Sequence, residues 1–338
     1  MKRRTFIAIV LATTSILYGC SNQNQSDNNI LIAAKSGEKW GYINTAGQLK
    51  IAYQLDEAGI FSSNGLAAVK LNGKWGYLDE NGKLVIKAQF DEATRFSENK
   101  LALVKTNNKY GYIDETGTFV IKPLFDKALS FMNGYAPVCI KDKWGYIDEN
   151  KLLVIQPQFD FAGFFAENGL ADVLVSTKQG YIDQTGKMVI KPQFSTAGMF
   201  KSNGLAAVRY NGKDGYIDKN GSFVIEPNFD YASGFEENGL AVVKVNGKWG
   251  HIDNKGECVI KPEFDKAEGF SEGLALVELN GKWGYINETG KIVIKPQFDD
   301  AWDFKQGYAA VEIEGKWGLI NHKGKFVAKP QFDDLQWY

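Results

Sequence analysis

Few residues in this chain have the chemistry for catalysis or metal binding. Among 338 residues there are 2 histidines and 3 cysteines. His251 and His322 are far apart, and neither has a second histidine or a cysteine at metal-ligand spacing. They read as structural or solvated side chains, and no metal or other cofactor is expected. Carboxylates fall in two recurring sets: Asp79, Asp114, Asp148, Asp183, Asp218 and Asp253, then Asp91, Asp126, Asp160, Asp230, Asp265, Asp299 and Asp333. Repeated Asp with Gly binds calcium in some solenoids. These lack the tight alternation of a calcium loop, and Asx-turn hydrogen bonding accounts for them more simply. Glycoside cleavage needs a pair of carboxylates, and no pair stands out among so many equivalents. No phosphate loop, nucleophile elbow or basic-aromatic patch appears. A formal net charge of -1 gives no field toward nucleic acid. The expectation is a protein that is not an enzyme and binds no nucleic acid.

Aromatic residues offer a sharper chemistry. Trp40, Trp75, Trp144, Trp249, Trp283 and Trp317 recur beside tyrosines. Apolar ring faces suit sugar rings, so an exposed stripe of them would take a glycan or peptidoglycan strand. The competing role for the same rings is packing. The stripe would be interrupted where the position holds Tyr110, Gln179 and Asp214. A fully buried indole replaced by an unpaired carboxylate would be costly, so partial exposure is expected there, at least around Asp214.

The first thirty residues stand apart. Lys2, Arg3 and Arg4 precede an apolar stretch from Phe6 to Tyr18 that is too short to span a membrane. Leu17-Tyr18-Gly19-Cys20 follows, and then the polar run 21–29. This segment resembles the lipobox of bacterial lipoproteins. The resemblance implies cleavage before Cys20 and acylation of that cysteine; several acyl chains anchor stably where one does not. Residues 1–19 would be the signal peptide and 20–29 the lipidated cysteine and a flexible tether. The protein is then expected in the cell envelope, lipid-anchored. Ser21, not Asp, after the cysteine favours the outer membrane in a host with two membranes.

From about Ile30 to Tyr338 the chain repeats. Gly41, Gly76, Gly111, Gly145, Gly180, Gly215, Gly250, Gly284 and Gly318 lie 34 or 35 residues apart. Nine units leave no room for a separate catalytic domain. In one unit, "LAAVKL" and "KWGYLD" flank Asn72-Gly73, a strong two-residue hairpin signal. "KLVIK" makes a third strand, stopped in most units by a proline (Pro123, Pro157, Pro192, Pro227, Pro262, Pro296, Pro330). An arm such as "QFDEA", with a following phenylalanine, leads onward and has room for a short fourth strand. Alternation puts Trp75 and Tyr77 on one face and Gly76 and Leu78 on the other. Glycine at this place lets another backbone or ring approach closely. Apolar groups on both faces require cover on both sides, which stacked neighbours supply; Phe90 with Phe96, and Phe298 with Phe304, would plug the joints. Cys139 and Cys258 occupy non-equivalent places in their units and are expected as buried free thiols rather than a disulfide.

The recurring "GKWGYID", "GKLVIKPQFD" and "NGLAAV" resemble the WG (KWG) repeat of bacterial proteins. The resemblance covers nearly the whole chain after residue 29. It implies a β-rich array with an interaction role and no defined ligand. The expected fold is all-β: nine antiparallel meander units of about 35 residues, in an open, curved or superhelical array, with a closed propeller-like ring as the alternative. Unit one, with Lys50, Tyr53 and Leu55 in place of the usual residues, would be a terminal cap. In unit four, where Lys151 replaces the turn glycine, Asn150 is expected to take the left-handed position. The partner would be an unknown envelope protein or, in the alternative, cell-wall glycan.

Overall fold

The computed structural model describes residues 30–336. The leader, Cys20, the tether and the Trp337-Tyr338 end lie outside them. Local chemistry sets the strands as expected. Asn72 and Gly73 take positive φ values of 51° and 80°, the backbone of a tight hairpin whose twist matches the strands it joins. In the next turn one Asp79 carboxylate oxygen accepts from the Asn81 and Lys83 amides at 3.0 and 2.9 Å, so this set of acids does form Asx turns. Unit four departs: Lys151 itself takes the left-handed conformation, at φ 69°, and not Asn150.

Nine four-stranded antiparallel sheets result. Blade 2 is typical: Glu57–Phe61, Leu66–Leu71, Lys74–Asp79 and Leu84–Phe90 pair in that order. The arm therefore holds the fourth strand, and it pairs with the blade that follows it in sequence. Blades 2 to 9 begin at Glu57, Glu92, Lys127, Phe161, Thr196, Tyr231, Lys266 and Asp300.

Blade 1 settles open against closed. It takes Ile32–Ser36, Lys39–Ile43 and Leu49–Leu55 from one end of the chain and Asp334–Gln336 from the other. Ala33 pairs with Gln336, Ala34 with Leu335 and Lys35 with Asp334. The array is a nine-bladed β-propeller, so the ring, and not the open superhelix, is correct. Unit one is not a cap: its missing inner strand is supplied by unit nine, and no end is left to cover.

The arms form the inner edge. After burial, Glu268 and Glu236 on the arms of blades 8 and 7 help raise the carboxyl of Asp303 on the arm of blade 9, and Lys305 of blade 9 feels Arg95 of blade 3. Non-neighbouring blades come that close only near the axis. Third strands form the outer rim, where Val85, Val154, Val189, Val224, Val259 and Val293 are exposed. Cover on both faces thus holds for the inner strands and fails at the rim.

Candidate functional site

The motif residues converge on the seams between blades. Tyr77, Ile86, Phe90, Ala68 and Leu66 of blade 2 pack with Phe96, Ala102, Val104 and Ile113 of blade 3. Each of the nine seams has its own cluster of this kind, and together they make up the core. Leu78, on the opposite face, packs in the seam with blade 1. The expected plugs are there: Phe90 and Phe96 share one seam, Phe298 and Phe304 another.

Four interactions recur across a seam or prepare it. The first is the close approach at the motif glycine. Opposite Gly76 the third strand bulges, with Tyr77 paired to Ile86 but Trp75 to Phe90. A Cβ on Gly76 would lie 2.5 Å from the Ile86 carbonyl oxygen and 2.7 Å from the Ala88 amide nitrogen. All nine motif glycines, Gly41 to Gly318, meet third-strand backbone in this way. No side chain fits without moving a strand, which explains a position filled identically nine times.

The second is a hydrogen bond from the motif tyrosine. Tyr77 Oη donates to the Thr94 carbonyl of blade 3 at 2.8 Å. Tyr42, Tyr112, Tyr146, Tyr181, Tyr216 and Tyr285 repeat the bond at 2.7 or 2.8 Å. Burial pushes the phenols of Tyr42, Tyr77, Tyr112, Tyr146, Tyr181 and Tyr216 well above their ordinary pKa, so they stay neutral donors. His251 keeps the bond in blade 7, with Nε2 2.9 Å from the Glu268 oxygen. Blade 9 has Leu319 instead.

The third is a carboxylate clamp, and it corrects the Asx-turn reading of the second acidic set. Asp91 pairs with Lys74 of blade 2 at 2.5 Å and accepts the Asn107 amide of blade 3 at 3.1 Å. The lysine bond, and then the amide, hold this carboxyl below its usual range. Asp56, Asp126, Asp160, Asp265, Asp299 and Asp333 repeat the pattern of one lysine and one hairpin amide. Asp230 keeps the lysine, Lys213, at 2.6 Å. Ser195 breaks the series.

The fourth is the tryptophan position. Trp144 and Trp317 are buried; Trp40, Trp75, Trp249 and Trp283 are half-buried. Lysine amines lie over Trp75, Trp249 and Trp283 at 5.9, 5.2 and 5.3 Å from the ring centres. Phe161 covers Trp144 at 5.5 Å. Gln179 is partly exposed, as this position was expected to be; Asp214, where exposure was expected most, is not. Asp214 is 7% accessible; it meets Arg209 Nε at 3.2 Å and accepts the Ala232 amide at 2.9 Å. A paired carboxylate escapes the cost that an unpaired one would incur. Gln179 likewise accepts the Ala197 amide at 2.7 Å and donates to Asp172 at 3.2 Å. Sequence reading missed both partners, although Arg209 and Asp172 are themselves departures from the repeat.

The cysteines split. Cys139 is buried and Cys258 exposed on the rim, both as free thiols; the second thus departs from expectation because the first residue of a third strand faces solvent. His322 is partly exposed, stacks on Phe304 at 4.4 Å and lies 3.1 Å from Glu272. Among the described residues no group of three or more His, Cys, Asp or Glu is placed to hold a metal, and no helix is long and apolar enough to cross a membrane.

The family model described as "WG containing repeat" matches nine times, at residues 40–75, 75–110, 110–144, 144–176, 180–213, 215–249, 249–283, 283–317 and 317–336. The chain belongs to the WG-repeat family. No curated protein matches it in sequence. Among solved structures, one described as "Crystal structure of the eukaryotic initiation factor" is similar at a TM-score of 0.66 and 12% identity, over 91% of this chain and 96% of that one. "Dihydro-heme d1 dehydrogenase NirN in complex with DHE" follows at 0.51 and 11%, over 95% and 76%. At such identities the likeness concerns the fold alone. In this WG-repeat ring the family motif builds the seam: tyrosine, lysine and aspartate tie one blade to the next, while glycine lets two strands of one blade pack closely.

Proposed function

We propose that this WG-repeat protein is a lipid-anchored scaffold of the cell envelope whose ring presents a broad surface to a protein partner. One observation carries the reading: the motif glycine, tyrosine, lysine and aspartate are spent within and between the blades, so the turns and rim are left free to meet a partner. Exposed apolar groups support it. Valines of the rim stand beside Leu49, Leu84, Leu152 and Ile292, and apolar surface of this kind favours protein contact. The lipobox resemblance at Cys20 supplies the anchor, with the outer membrane favoured in a host that has two. No catalysis is assigned.

Two experiments test this. Cys20→Ser should release the protein from membranes and abolish incorporation of labelled fatty acid; unchanged lipidation would refute the anchor. Residues 21–338, immobilised, should bind one purified envelope protein saturably, and charged replacements of Val189, Val224 and Val259 should weaken that binding. Retention of isolated cell wall without any protein would replace the scaffold by a glycan-binding module.

A further inference from the structure

His251 stands where seven other units carry the motif tyrosine. It is fully buried in the seam between blades 7 and 8. Its ring packs against Phe270 at 4.9 Å, with Val242 and Ile260 as its cross-strand partners. The Glu268 carbonyl, 2.9 Å from Nε2, can only accept, so Nε2 carries the proton. Nδ1 is then a bare acceptor, and it has no partner. A phenol in this place has no proton to gain. An imidazole has, and a second proton at Nδ1 would put an N–H without an acceptor, and a full charge, into an apolar seam.

We propose that His251 makes the seam between blades 7 and 8 an acid-sensitive joint of the ring. The charged residues on the elements packed around it offer no compensation. On its own blade these are Lys244, Lys248, Asp253, Lys261, Glu263 and, on the arm, Glu236, which lies against Gly269; on blade 8 they are Lys266, Glu268 and Glu278. Lys248 is engaged by Asp265 and Lys266 by Glu278. Burial holds the imidazole below its ordinary pKa, and the Glu268 carbonyl opposes this more weakly; no charged group contributes. A base with a lowered pKa stabilises the fold above the ordinary histidine range, and that stability is lost as pH falls below about 6.5.

His251→Tyr restores the family residue and removes the titration. Thermal unfolding of both proteins between about pH 7.5 and pH 5 reads the effect, because every other titrating group is common to them. The wild type should lose melting temperature relative to His251→Tyr as pH falls, by several degrees at the acid end. Parallel curves would overturn the proposal. Should His251→Tyr fail to fold, His251→Phe serves: its melting temperature should likewise follow a shallower acid limb than the wild type. A magnetic-resonance titration adds a direct reading, since the chain has only 2 histidines. The His251 ring should stay neutral well below pH 6.5; protonation at or above that value would also overturn the joint.

Discussion

At the level of single residues, the seams carry a few ionisable groups whose placement has consequences. Asp172 is 7% accessible, and its carboxylate accepts a hydrogen bond from Gln179. Burial pushes its carboxyl up to about 7. An acid with a raised pKa binds its proton more tightly when folded, so the fold is favoured below about pH 4 and loses that advantage as pH rises toward 7. Asp172→Asn should therefore stabilise the protein at pH 7.5 and leave it unchanged at pH 4. The gain is at most about 4 kcal/mol, from a shift of roughly three units at 1.36 kcal/mol each. Chemical denaturation at the two pH values checks this. Lys100 and Lys151, at φ 64° and 69°, occupy places where other units have glycine. Replacing either by glycine should add up to about 1 kcal/mol, measured the same way. Neither effect was fully legible in the sequence. Lys151 marked a broken turn, but which residue would absorb the strain depended on register; Asp172 stands out from the repeat, but only the fold shows how tightly it is enclosed, since a Cβ on Gly163 would meet its carboxylate.

At the level of elements, the strands and turns were readable because their chemistry is local. Asn-Gly hairpins, Asx turns and alternation each depend on neighbours within a few residues. The exception is the bulge over the motif glycine, which a period-two reading could not place. It could only be anticipated as a close approach. Gly76→Ala should cost several kcal/mol, since the obstacle is backbone on both sides of the bulge. Tyr77→Phe should cost about 1 kcal/mol, the net worth of one hydrogen bond, plus the penalty of leaving the Thr94 carbonyl unsatisfied. A denaturant series on both variants, with unchanged slope, would distinguish lost contacts from a changed fold. The exposed acids of the second set were legible as a pattern, yet their role was not: a clamp joins residues 15 to 17 apart with a lysine and a hairpin amide, and only the seam brings these three together.

For the whole molecule, the repeating unit was legible in the sequence and the closure was not. Nine equal units suit a rod or a ring equally, and the repeat phase hides which strand belongs to which blade. What closes the ring is small: three cross-strand pairs from Asp334–Gln336 and a seam that differs from the others. There Leu319 replaces tyrosine, Ala328 replaces the usual isoleucine, and Leu335 replaces the usual alanine. The larger Leu335 and smaller Ala328 compensate in volume, while Asp333 keeps its clamp on Lys316 and Gly37. Deleting residues 334–338 should therefore destabilise the whole ring rather than one blade, because blade 1 loses its inner strand and two seams lose cover; a single cooperative transition at lower temperature is the expected melt. Ring closure itself is tested most directly by small-angle scattering on residues 21–338. A compact body of this size has a radius of gyration of about 20 Å, enlarged slightly by the tether. Nine sheets stacked about 10 Å apart in an open array would instead be some 90 Å long, and a radius near 30 Å would contradict the closed propeller.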